Sequence, residues 1–195
     1  MREILKATSL NCKSGVSAFV SRRIVIAYWL IPAEPARRFF QSLIEDLARR
    51  YDAPVFEPHV TIHVGADHVH AAEKALSKAA QECQPINLEA LGIDHSHEFI
   101  KTLFVQFTPN TKLQQLNAIV CNAAEDSFHY ELNPHLSLLY KNIPTEIRSV
   151  LADSIDVPFS EVMFDALKAV GCVSPTQNRA DVEAWGVLAR KQLSG

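Results

Sequence analysis

The chain reads as an α+β protein built from two related halves, and three observations point there. Short runs rich in β-branched and aromatic residues alternate with longer segments whose apolar residues recur at helical spacing. Prolines, glycines and polar clusters separate these runs at the intervals expected of turns. One pattern, polar-Pro-His-apolar-hydroxyl-apolar, occurs twice, as Glu57-Pro58-His59-Val60-Thr61-Ile62 and as Asn133-Pro134-His135-Leu136-Ser137-Leu138. Two such matches in one chain of this composition arise by chance at roughly the one-in-100,000 level, whereas a single H-x-T would carry little weight.

In chain order, residues 24–31 (IVIAYWLI) are rich in β-branched and aromatic residues and stop at Pro32, which reads as a buried strand. Residues 35–50 follow as a helix: Phe39, Phe40, Leu43, Ile44 and Leu47 share one stripe, Pro35 stands near the first turn, and Arg49 and Arg50 suit the C-terminal end of the dipole. Residues 59–64 read as a strand closed by Gly65, and residues 69–83 as a second helix. Strands at 86–93 and 99–108, separated by the polar turn 94–98, form an expected hairpin. Asn110 is a good N-cap for a helix over 112–124, where Leu113, Leu116, Ile119 and Val120 make the apolar stripe. A strand at 135–140, a short helix at 144–155, a strand within 159–173, a turn at 175–179 and a last strand at 181–190 complete the pattern.

At 195 residues, with 48% hydrophobic and 21% charged residues, the chain can bury a core without disulfide or metal staples. The expected organisation is a leader at 1–23 and a single bilobal domain at 24–195. The leader carries Arg2, Lys6, Lys13, Arg22 and Arg23 against Glu3, which is faintly like an organellar transit segment but lacks the apolar stretch of a secretory one. No run approaches the roughly 20 apolar residues of a membrane span. A net charge of −3 argues against a stable nucleic-acid partner or an anionic membrane surface while allowing a local pocket for one small anion. Cys12, Cys83, Cys121 and Cys172 are scattered and form no C-x-x-C pair, so reduced thiols, a cytoplasmic location and a monomer are the expectations.

In a strand, residues i and i+2 project to one face, so each motif presents an imidazole beside a hydroxyl: His59 with Thr61, and His135 with Ser137. Val60 and Leu136 point into the opposite, apolar layer. Pro58 and Pro134 hold the preceding residues extended and remove a ladder donor where each strand begins. If the halves are related by a pseudo-twofold axis, the two pairs face each other across a groove. Two imidazoles near neutral pH can divide base and acid work, and two hydroxyls can donate to phosphoryl oxygens. That chemistry asks for no metal and no cofactor. The same spacing argument puts His63 on the face of Thr61, at the rim. His68 with His70, and His95 with His97, lie in polar turns without further ligands at metal spacing and read as solvated loop residues.

Residues 56–65 (FEPHVTIHVG) and 133–140 (NPHLSLLY) resemble the two-histidine (2H) phosphoesterase superfamily, and within it the cyclic phosphodiesterases. The resemblance spans about residues 24–190. It implies a bilobal fold with two antiparallel sheets forming a V-shaped central cleft and helices outside. It further implies His59 and His135 as catalytic, Thr61, Ser137 and Tyr140 at the phosphate, and His135 as base with His59 as acid. The implied substrates are small cyclic phosphates, namely ADP-ribose 1″,2″-cyclic phosphate and 2′,3′-cyclic nucleotides. An RNA-end 2′,3′-cyclic phosphodiesterase and a non-catalytic nucleotide-phosphate binding module are the rival readings. Phe104 on a middle strand and Trp185 on the last strand are candidate substrate-stacking residues, matched loosely. The disulfide-linked cysteines of plant members have no counterpart in the spacing found here.

Overall fold

Each motif strand pairs antiparallel with the strand that precedes it across a helix, and the whole architecture grows from that unit. The structure is a computed structural model and describes residues 22–124 and 130–194. β1 (Arg23–Pro32), α1 (Ala36–Tyr51), β2 (Val60–Gly65), α2 (Val69–Glu82) and β3 (Ile86–His95) make the first half. A 3₁₀ turn (Phe99–Lys101) leads to the second: β4 (Leu103–Phe107), α3 (Thr111–Ala123), β5 (His135–Leu139), α4 (Thr145–Ser154) and β6 (Glu161–Ser174). α5 (Arg179–Glu183) and β7 (Gly186–Gln192) are appended.

The strand order is β1-β2-β5-β4-β3-β6-β7, and β1 also pairs with β6, so six strands close on themselves. Exchanging β1 with β4, β2 with β5 and β3 with β6 carries every ladder of this ring into another, which is the duplication that the repeated motif announces. Two antiparallel sections result, β2-β1-β6-β7 and β5-β4-β3. They are continuous through one registered pair, Val60 with Leu136, and through a short ladder between residues 86–89 of β3 and 161–164 of β6.

From Val25 on, β1 is apolar because both its faces are covered. Ile26, Tyr28 and Leu30 point into the main core beneath the helices, while Ala27, Trp29 and Ile31 join Ala166 and Val170 in a second, smaller cluster on the other face. Helices supply the main core from their buried stripes, such as Phe40, Ile44 and Leu47 of α1 and Leu113, Leu116 and Val120 of α3. Asn110 caps α3 as expected, its side chain accepting from the Leu113 N–H at 2.9 Å. Among the described residues, no helix is long and apolar enough to cross a membrane.

Several boundaries differ from the sequence reading. Residues 99–101 form the 3₁₀ turn rather than strand, tied by the buried Thr102 hydroxyl to the carbonyls of Glu98, Phe99 and Lys141. Residues 181–185 are not strand: Asn178 accepts from the Asp181 N–H, nucleating α5, and β7 starts at Gly186. Trp185 therefore stands just before the last strand. The expected leader lies outside the described residues except for Arg22, which pairs with the buried Asp181, and Arg23, which opens β1.

Candidate active site

A cavity of about 240 Å³ lies on the face of the sheet away from the main core, and His59, Thr61, His135, Ser137, Tyr140 and Trp185 all line it. Its remaining wall is largely apolar, with Val25, Ala27 and Trp29 from β1 and Cys172 from β6.

Both imidazoles are oriented by the same device. His59 Nδ1 donates to the Glu57 carbonyl at 2.6 Å, and His135 Nδ1 donates to the Asn133 carbonyl at 2.8 Å. A carbonyl only accepts, so Nδ1 carries the proton and the lone pair of the neutral ring is left on Nε2, toward the cavity. The first residue of the six-residue pattern is thus the histidine's anchor. Its backing differs between halves. Arg37 of α1 donates to the Glu57 carboxylate at 2.7 Å and Lys168 of β6 pairs with it, whereas Asn133 is held by the Gln106 amide at 3.0 Å.

An equivalent β-bulge follows each hydroxyl. Trp29 is opposite Thr61 but Tyr28 is opposite His63, leaving Ile62 as the extra residue; Phe104 is opposite Ser137 but Leu103 is opposite Leu139, leaving Leu138 extra. A bulge reverses the alternation of faces beyond it. His63 is therefore not at the rim: it is buried, its ring 5.7 Å from that of Tyr28 in the main core. Val64 and Tyr140, three residues past each hydroxyl, turn into the cavity instead.

The register also assigns each histidine an aromatic neighbour on the adjoining strand. Trp29 stacks on His59 with centroids 3.8 Å apart and planes 14° from parallel, while Phe104 stands 5.5 Å from His135 at 71°. Trp185 packs edge-on to Trp29 at 5.2 Å and to Tyr140 at 5.9 Å, and Tyr140 stacks on Phe56 at 3.9 Å. Phe104 faces the cleft layer but its ring is covered by His135 and Lys101, and it is not part of the cavity lining. Nothing in the apolar run 24–31 marks which of its residues face the cleft, and Trp29 is the one that meets His59. The Ser137 hydroxyl donates to the Ile100 carbonyl at 2.8 Å and contacts the Tyr140 hydroxyl, while the Tyr130 hydroxyl donates to the Thr61 carbonyl at 3.2 Å.

Burial lowers the proton affinity of both histidines. His59 falls to about 4, desolvation outweighing its bond to Glu57, and His135 is lowered less, again chiefly by desolvation. Burial also pushes the Tyr140 hydroxyl and the Cys172 thiol up, so both are neutral at physiological pH. Among the described residues no three His, Cys, Asp or Glu side chains converge as a metal site. His95 is not a free loop residue: it ends β3 and its Nε2 meets the Ser149 hydroxyl at 3.2 Å.

A duplicated antiparallel frame carrying a histidine and a hydroxyl at equivalent places in each half is what the resemblance to the two-histidine phosphoesterases implies. Comparison with known proteins agrees. The model of the cyclic phosphodiesterase-like protein family matches residues 24–193, and the chain belongs to that family. A cyclic phosphodiesterase of Arabidopsis thaliana is 22% identical over 174 residues, covering 86% of this chain and 94% of its own. A 2′,3′-cyclic-nucleotide 3′-phosphodiesterase of Kluyveromyces lactis is 26% identical, covering 87% and 99%. The fold is shared with E. coli LigT, solved with 3′-AMP (TM-score 0.51, 15% identity, 88% and 99% coverage), and with TT0787 of Thermus thermophilus (TM-score 0.58, 14% identity, 87% and 97%). The chain is a phosphodiesterase that acts on cyclic phosphates.

Proposed function

We propose that this chain hydrolyses small cyclic phosphates, 2′,3′-cyclic nucleotides and ADP-ribose 1″,2″-cyclic phosphate, to phosphomonoesters without a metal ion, using His59, Thr61, His135 and Ser137. The observation that carries the reading is the pair of imidazoles lining one cavity, each pinned through Nδ1 so that Nε2 is available to substrate. Water adds to phosphorus as its proton passes to one Nε2; the bond from phosphorus to the ribose oxygen breaks, and that oxygen takes a proton from the other. Thr61 and Ser137 donate to the non-bridging oxygens as their charge grows. For Ser137 this means exchanging the Ile100 carbonyl for a phosphoryl oxygen. Tyr140 acts through its contact with Ser137, and Trp185 flanks the ester group.

Relative proton affinity supports His59 as the base and His135 as the acid, the reverse of what the resemblance implies. When the pair shares one proton it resides on the less desolvated ring, His135, leaving His59 free to accept from water. The net charge of −3 counts against an oligonucleotide as substrate.

The test is release of phosphomonoester from 2′,3′-cyclic AMP in excess chelator. Retained turnover is expected, with losses of about 10³-fold or more in His59→Ala and His135→Ala. Complete dependence on added metal, or full activity in either variant, refutes the reading. A phosphodiester with a nitrophenolate leaving group needs no general acid, so His135→Ala should harm its hydrolysis far less than His59→Ala does.

A further inference from the structure

The cavity wall holds two imidazoles, two motif hydroxyls and many apolar groups, but among the described residues no arginine or lysine lines it. A cyclic phosphodiester is an anion, and its non-bridging oxygens gain further negative charge as water adds to phosphorus. The cations that act on the two histidines stand one layer back. Beside His59 it is Lys168, whose side chain is 12% exposed and whose charge is matched by Glu57. Beside His135 it is Lys101, with a different environment. Its Nζ lies 4.4 Å from the centroid of Phe104, the ring that packs against His135, and among the described residues it forms no ion pair.

The turn that carries Lys101 is fastened to the site. Ile100 lines the cavity and its carbonyl holds the Ser137 hydroxyl at 2.8 Å; Thr102, buried, donates to the carbonyl of Lys141 at 2.9 Å, directly after Tyr140. The Ile100 carbonyl and the Thr102 hydroxyl thus fasten both sides of Lys101 to the second motif and to the residue that follows Tyr140, and its ammonium group rests on Phe104, the ring that packs against His135. Phe104 is buried but Lys101 is only half-buried, so its ammonium keeps part of its hydration on the ring, and a charge-assisted contact to a phosphoryl oxygen can draw the flexible side chain off that face.

We propose that Lys101 is the cation that binds the substrate's phosphoryl group on the His135 side and offsets the charge that accumulates there during hydrolysis. The assignment rests on the phosphodiesterase reading of the histidine–hydroxyl quartet. It gives the two halves of a symmetric site unequal electrostatics: one histidine faces a neutralised lysine, the other an available one. The charged groups acting on His135 are Lys101 and Glu98 from the 3₁₀ turn and its flank, with His59 across the cavity, and the titratable Tyr130, Tyr140 and Cys172 share that cavity's wall. Lys101 opposes protonation of His135 and Glu98 favours it.

The experiment compares the full chain with Lys101→Met and Lys101→Arg, using 2′,3′-cyclic AMP as substrate and inorganic phosphate as a calorimetric probe. Lys101→Met should lower kcat/KM about 10- to 100-fold and weaken phosphate binding comparably, as expected for loss of a charged hydrogen-bond partner. Lys101→Arg should recover most of both. In the Met variant the His135 ring, followed by NMR, should titrate at higher pH, a displacement that a merely structural role would not cause. Undiminished phosphate affinity and kcat/KM in Lys101→Met overturns the proposal, as does equal loss in Met and Arg variants with His135 titration unmoved. A wild-type chain that turns over no cyclic phosphate overturns the reading of the quartet instead, and the phosphate affinities of wild type and Lys101→Met still decide the role of Lys101.

Discussion

His59 and His135 occupy equivalent frames, and their exposure differs through the packing of one aromatic ring. Trp29 lies flat on His59, whereas Phe104 meets His135 edge-on, so the first ring is shut away from water more completely. Both proton affinities are lowered, His59 to about 4. A base must be neutral and an acid protonated, so kcat/KM, which reports the free enzyme, should trace a bell lying between about pH 4 and the ordinary histidine value near 6.5. A profile flat across that interval or peaking well above neutrality would refute the assignment. Trp29→Leu should admit water to His59 and move the acid limb upward, with the alkaline limb in place. The histidines and hydroxyls were legible in the chain because a short repeated pattern carries them. Their aromatic neighbours were not, since cross-strand register decides them and local sequence does not state it.

At the scale of elements the decisive feature is the paired bulge. Without it His63 and Leu139 would face the cleft and Val64 and Tyr140 the core, so one extra residue per strand determines which side chains reach the substrate. Strict alternation predicted the positions of Thr61 and Ser137 correctly and failed two residues later for that reason. Each bulged residue leaves backbone groups outside the ladder, and the first is served by α3: the Asn117 amide donates to the Ile62 carbonyl at 2.6 Å. Asn117→Ala should leave that buried carbonyl unsatisfied, cost about 1–3 kcal/mol, and lower kcat/KM through misplacement of Thr61 and Val64. Urea unfolding and steady-state kinetics on one preparation check both effects. Asn110→Ala, which removes the cap of α3 and the bond the Asn110 amide donates to the Asn87 carbonyl at 2.8 Å, should cost about 1–2 kcal/mol with kcat/KM nearly unchanged. Equal kinetic damage from the two substitutions would show that general loosening of α3, rather than the bulge contact, matters. The α5 turn was missed for a different reason: its Asn178 cap signal precedes only five helical residues, too few to show a period.

Across the whole molecule, the ring closes only because β1 pairs with β6 as β4 pairs with β3, and the cleft lies between the two sections so joined. β7 and α5 break the symmetry, bringing Trp185 to the His59 side alone. The second core cluster that floors the cleft contains Trp29, so burial of His59 is a property of assembly rather than of its strand. That links stability to pH. His59 binds a proton with a value of about 4 when folded and near 6.5 when unfolded, so between these values the unfolded chain holds more protons and stability rises with pH. The contribution is fully present above pH 6.5, declines as pH falls through that interval, and amounts to about 3 kcal/mol over its whole span. His135, lowered by the same cause, adds a loss of the same sign. Asp181 is held below the usual carboxylate range by the Gln177 N–H and Arg22, so it acts only under about pH 4 and does not confuse the window. Urea unfolding at pH 7 and at pH 4.5 should therefore show a steep loss in the wild type and a distinctly shallower one in His59→Gln, which cannot titrate there. Parallel losses in the two proteins would mean that His59 is hydrated in the folded chain, and the stacked packing against Trp29 would have to be given up.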